Sequence, residues 1–195
     1  MTASANSARP SPGSPGGLPG GVNDAGFTGL HRLEYGIYHG QSPASLVPIA
    51  DTLISDIGAV NHNLTTDDLA GDPTNLPIRA HEVLEDAQRD HLSGIDDLGS
   101  GSAYPATSAD VEITRTVIAQ LSPLLNTRAP QLVPTINTQL DALSAALAAT
   151  QGPSGRWRAP AQVPLATRQD VNATLGAVLE TLAAVPDLLE VPPNH

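Results

Sequence analysis

The chain has 195 residues and a net charge of −11, from 20 acidic and 9 basic side chains. That sign excludes a nucleic-acid partner, because phosphate binding needs a basic surface; an acidic field concentrates cations instead. Cysteine is absent, which removes disulfides, thiolate zinc sites and cysteine nucleophiles.

Aromatic residues make up 3% of the chain, so the core has to come from Leu, Ala, Val and Ile. Residues 1–23 are rich in Pro, Gly and Ser, and cannot offset their ordering entropy; they are expected to be disordered. A helical domain is expected over 24–191, followed by a tail at 192–195. Its first helix spans Ala25 to Tyr38 and is weakened by its glycines, each worth about 1 kcal/mol against Ala. The second opens with Ser42 as N-cap and Pro43 at the first helical position. Leu46, Ala50, Leu53, Ile57, Val60 and Leu64 then form one apolar stripe. No uninterrupted apolar run approaches the ~18 residues that cross a bilayer.

The polar loop TTDDLAGDPTN leads to a third helix over Leu76 to Leu92, with Ala80, Leu84 and Ala87 inward and Gly94 as terminator. GIDDLGSGSAYPATS reads as a loop. A fourth helix starts near Ser108, with Val111, Thr114, Ile118, Leu121 and Leu125 on its inner face. Leu132, Ile136, Leu140, Leu143 and Leu147 mark the fifth. After the loop QGPSGRWRAP, the sixth carries Val171, Leu175, Val178, Leu182 and Val185. No stretch alternates as a strand does. The fold class is therefore all-α, an antiparallel helical bundle.

His31 and Glu34 stand at i and i+3, so one helix face carries both, with Tyr35 and Tyr38 on the same side. Imidazole and carboxylate suit iron, zinc or manganese, but two ligands need further partners. The same spacing also describes an ordinary hydrogen-bonded pair. Asp51 lies at the edge of the second stripe. His91 continues the inward line of the third helix, where a satisfied core histidine is the bland alternative. His81 and Glu85 form an i,i+4 pair, and Asp96 and Asp97 a loop pair. His39, His62 and His195 have weaker context. HExxH, GxSxG, the phosphate-binding GxxxxGK[ST] and a dinucleotide GxGxxG before a helix are all absent.

GFTGLHRLEYGIYHG resembles the GxHxxE signature of the imelysin-like domain of the EfeO and EfeM iron-uptake proteins, with Gly29, His31 and Glu34 at its positions. IADTLISDI, IRAHEVLEDAQRDHLSGIDD, ADVEITRTVIAQLSPLL and PLATRQDVNATLGAVLETLAAVPDLL continue the resemblance over about residues 24–190. It implies a helical bundle that binds iron, or zinc or another divalent metal, through His31 and Glu34. Asp51 and Asp96 are implied as further ligands. Also implied are an extracytoplasmic location and, as partners, a membrane iron permease and a peroxidase-like protein. The family's aromatic and histidine-containing stretch is replaced here by GSGSAYPATS. Its long first helix and export signal are not matched by the leader, so the bundle is expected to be incomplete at the N-terminus. Two alternatives stand beside metal binding in iron uptake: an imelysin-type metallopeptidase, for which no general base is evident, and a family fragment without a working site.

Overall fold

A computed structural model describes residues 15–63 and 73–189. The disorder expected of the leader falls outside the described residues as far as residue 14, and so does the tail. From Pro15 the chain makes two short 3-10 turns, Pro15–Gly17 and Gly21–Asn23. Asp24 ties the second one down: its Oδ1 accepts from Gly26 N at 2.8 Å and its Oδ2 from Gly20 N at 2.9 Å. Those two donors, Gly26 foremost, hold the Asp24 carboxyl below its usual range.

Helix α1 spans Gly29–Tyr38 and α2 spans Pro43–Asn63. Ser42 supplies the expected cap, its Oγ accepting from Ser45 N at 3.3 Å. Pro43 sits where the N–H has no intrahelical partner to lose. Gly36 is buried, and a Cβ there would collide with Leu46 Cδ2. This glycine is thus what lets α1 and α2 approach, besides weakening α1 as expected.

The α2 stripe is not buried as its periodicity predicted. Leu46 is 8% exposed, but Ile54 is 68%, Ile57 58% and Val60 49% exposed, and Leu64 lies outside the described residues. Length gives the reason: at 1.5 Å per residue, α1 is roughly 15 Å long and α2 roughly 31 Å, so α1 covers only half of it. By length and composition α2, 21 residues long, is also apolar enough to cross a membrane, with a mean hydropathy of 1.2 over an 18-residue window. No uninterrupted apolar run marks this property in the sequence, because Asp51, Thr52, Ser55 and Asp56 interrupt the helix. Asp51 and Asp56 lie within α2, and an Asp at a bilayer centre costs about 2.5–3.5 kcal/mol, so length and hydropathy do not by themselves make α2 a span.

The chain divides into two compact units. One holds α1 and α2 with Leu98–Ser100. The other holds α3 (Leu76–Asp86), a π-helical turn (Ala87–His91), α4 (Ala103–Arg128), α5 (Leu132–Ala148), α6 (Leu165–Leu182) and the short α7 (Ala184–Leu188). The link Ala129–Gln131 is short enough to force α4 and α5 antiparallel. The second unit is an all-α bundle whose core follows the predicted stripes. Val111, Thr114, Ile118, Leu121 and Leu125 of α4 are buried, as are Ile136, Leu140, Leu143 and Leu147 of α5, while Leu132 is partly buried against them. Val171, Leu175, Val178 and Leu182 of α6 and Val185 of α7 complete it. Each fully buried Leu, Ile or Val contributes about 1.5–3 kcal/mol.

Two boundaries differ from expectation. α4 begins at Ala103 rather than near Ser108, because Tyr104, 3% exposed, anchors an extra turn in the core and Pro105 falls in the first turn. The third helix turns π-helical from Ala87. The extra residue per turn rotates the inward line, so Asp90 is buried and His91 half-buried. Further along α4, Pro123 leaves the Ala119 carbonyl without its helical donor, and Ser122 Oγ donates to it at 2.8 Å. Arg158 satisfies the end of α5, donating to Thr150 O at 2.7 Å and Ala149 O at 2.9 Å.

Candidate metal-binding site

The first unit brings His31 and Glu34 together. Gly29 opens α1 with φ +79, a conformation that L side chains rarely adopt, which accounts for the glycine two residues before the histidine. One turn on, His31 Nδ1 lies 3.0 Å from Glu34 Oε2, and both side chains are mostly buried, 24% and 16% exposed. The other oxygen, Glu34 Oε1, accepts from Ser100 Oγ. An ionised carboxylate can only accept, so Nδ1 is the donor in this contact and Nε2 is the nitrogen that the neutral ring leaves with a lone pair. A histidine oriented this way by a carboxylate is a common arrangement for metal-ligating imidazoles.

The supporting shell is aromatic. Tyr35 meets Phe27, 3% exposed, edge-on at 6.1 Å and stacks on the His39 ring at 4.0 Å. His39 Nδ1 donates to Tyr35 O at 2.8 Å, which occupies that nitrogen. Gly99 has φ +108 and comes close to Tyr38; a Cβ there would lie 3.0 Å from Tyr38 Cβ. Ser100 is a partner of Glu34 that the sequence pattern did not reveal. A hydroxyl in a Gly/Ser-rich stretch carries no periodic signal, and it stands 66 residues from its partner.

Asp51 is exposed on α2. Asp96 belongs to the second unit, where it is 8% exposed and its main-chain N–H donates to Asp90 O at 3.3 Å. Its neighbour Asp97 accepts from Gly101 N at 3.0 Å. Tyr38 is 57% exposed and His62 is exposed, while His195 lies outside the described residues. His81 Nδ1 lies 3.3 Å from Glu85 Oε2, the helix pair that the spacing predicted. Among the described residues no three histidines or carboxylates converge closely enough to hold a metal ion.

The second unit has a His–carboxylate contact of its own. His91 Nε2 lies 3.3 Å from Asp110 Oδ2, a buried oxygen that no well-aligned hydrogen bond satisfies. The contact with Asp110 is nevertheless the largest influence on His91. It raises the proton affinity of the imidazole against the opposing effect of burial, and the charges of Asp110, Asp96 and Asp90 add to it. Asp90 itself is bound by Arg89, whose Nε donates to Oδ1 at 2.8 Å. This group satisfies charge inside the bundle, which is the structural alternative foreseen for His91.

The family model for imelysin, Peptidase_M75, matches residues 2–185. The iron uptake system component EfeM of Pseudomonas syringae pv. syringae (strain B728a) is 34% identical over 77 residues, 40% of this chain and 26% of that protein. The match therefore spans about a quarter of the length of that curated relative.

Proposed function

The chain belongs to the imelysin family, and from that premise we propose that it is a metal-binding module of an iron-uptake system, taking its cargo at His31. The observation that carries the reading is the 3.0 Å contact between His31 Nδ1 and Glu34 Oε2 at the GxHxxE positions. In this reading Glu34 orients the ring so that Nε2 is offered to the metal. His31 and Ser100 each take one acceptor position on the two Glu34 oxygens, which leaves a further lone pair on each for direct ligation. Water or further carboxylates complete the coordination. Asp51 and Asp96 are the two that the family resemblance assigns. An extracytoplasmic location, with a membrane permease and a peroxidase-like protein as partners, belongs to the same proposal.

Calorimetric titration of the full chain with iron and with zinc is the test. His31→Ala is expected to abolish stoichiometric binding, Glu34→Gln to weaken it, and both to leave helicity nearly unchanged. Acidification is expected to weaken binding, because a protonated imidazole cannot coordinate. The same titration on Asp51→Asn and Asp96→Asn tests the other two assigned residues. Equal affinity of wild type and His31→Ala would sink the reading. The family model's name also covers peptidases. A peptide-cleavage assay on the metal-loaded protein separates that activity from cargo binding.

A further inference from the structure

Glu34 is held at both of its oxygens, once from within α1 and once from far along the chain. Oε2 meets His31 Nδ1 at 3.0 Å, three residues away on the same helix. Oε1 accepts from Ser100 Oγ, 66 residues away. An i,i+3 pair on an isolated helix shifts an equilibrium by only about twofold, because ordering two flexible side chains offsets most of the gain. A further hydrogen bond to the same ionised carboxylate shares that ordering cost, and such a bond is worth about tenfold or more.

The segment that carries Ser100 is shaped to deliver it. Gly99 before it has φ +108 and Gly101 after it φ +69, both in the left-handed region that residues with a Cβ rarely adopt. A Cβ on Gly99 would lie 3.0 Å from Tyr38 Cβ and 3.4 Å from His39 Cε1, so the main chain runs close against the end of α1. Leu98–Ser100 accordingly belongs to the same compact unit as α1.

We infer that Ser100 is a positioning residue for the metal site, acting through Glu34 on the tautomer of His31. This rests on the reading of His31 as the residue that takes the cargo. The hydroxyl pins Oε1, Oε2 is thereby fixed against Nδ1, and the proton of the neutral ring stays on Nδ1. Nε2 keeps the lone pair that a metal ion takes up. Without the hydroxyl, Glu34 divides its time between His31 and solvent. The ring then also populates the tautomer with its proton on Nε2, which cannot ligate through that nitrogen.

Long-range ¹H–¹⁵N spectra of the full chain, labelled at histidine and free of metal, distinguish the two tautomers at alkaline pH, where imidazoles are neutral. Calorimetry with zinc on the same proteins gives the affinity. Wild type is expected to hold His31 predominantly with its proton on Nδ1. Ser100→Ala is expected to lower the ratio of the Nδ1–H to the Nε2–H form about fivefold and to weaken zinc by about the same factor, with helicity unchanged. Ser100→Thr, which keeps a hydroxyl, is expected to stay within twofold of wild type in both. A serine that only shaped the loop would lower stability without moving the tautomer ratio. The inference is overturned if the ratio or the zinc affinity of Ser100→Ala lies within twofold of wild type, or if Ser100→Thr behaves as Ser100→Ala does. Wild type that takes up no zinc and no iron sinks the metal reading instead, and the ratio measured without metal still decides whether Ser100 orients the ring.

Discussion

Helices α2 and α5 carry apolar stripes of nearly the same spacing, yet they meet opposite fates. On α5, Ile136, Leu140, Leu143 and Leu147 are all within 1% of complete burial. On α2 only Leu46 is buried, and Ile54 and Ile57 are more than half exposed. α5 lies between α4 and α6, each at least as long as itself. Among the described residues of its own unit, α2 has only one helix beside it, the ten-residue α1. A periodic stripe thus shows that a helix is amphipathic; the number and length of its neighbours decide whether the stripe becomes core.

The largest expected effect lies in α5. Leu140→Ala leaves a cavity in a fully buried layer and should cost about 2–5 kcal/mol, read from urea denaturation. If it costs less than about 1 kcal/mol, the contrast between the two units fails. Gly29→Ala comes next: an alanine at φ +79 should cost about 1–2 kcal/mol in the stability of the first unit, seen as faster amide exchange along α1.

The third expectation concerns pH. His91 has its folded-state proton affinity raised by Asp110, so its contribution to stability is fully present below the unfolded-state pKa of about 6.5. That contribution is lost as pH rises through the higher folded-state value. Denaturation from pH 6 upward should show stability falling in wild type and a flatter profile in Asp110→Asn. A steeper fall in the variant would mean that another group controls the window. The smallest effect is expected on α2, where Ile57→Ala should change stability by no more than about 0.5 kcal/mol. A cost near that of Leu140→Ala would show that the exposed face is covered in solution.

Local rules made much of this legible beforehand. The steps of three and four along α4, α5 and α6 identified the buried residues one by one, because 3.6 residues per turn fixes which side chains share a face. Ser42 and Pro43 marked the start of α2 through main-chain donors that any helix leaves free. The i,i+3 spacing of His31 and Glu34 fixed their contact within a single helical turn. Other features depend on neighbours that the local pattern does not contain. Tyr104 extends α4 because the core has room for its ring, against the loop-like composition of SGSAYPATS. The π-helical turn rotates Asp90 inward and turns His91 towards Asp110 on another helix. Ser100 reaches Glu34 across 66 residues, and the exposure of Ile54 and Ile57 follows from the shortness of α1. The sequence alone determined what one turn of helix enforces, since those interactions lie within four residues of each other. Tertiary structure decided burial, the hydrogen-bond partners of Glu34 and the charge around His91, since each depends on groups that folding brings in from elsewhere in the chain.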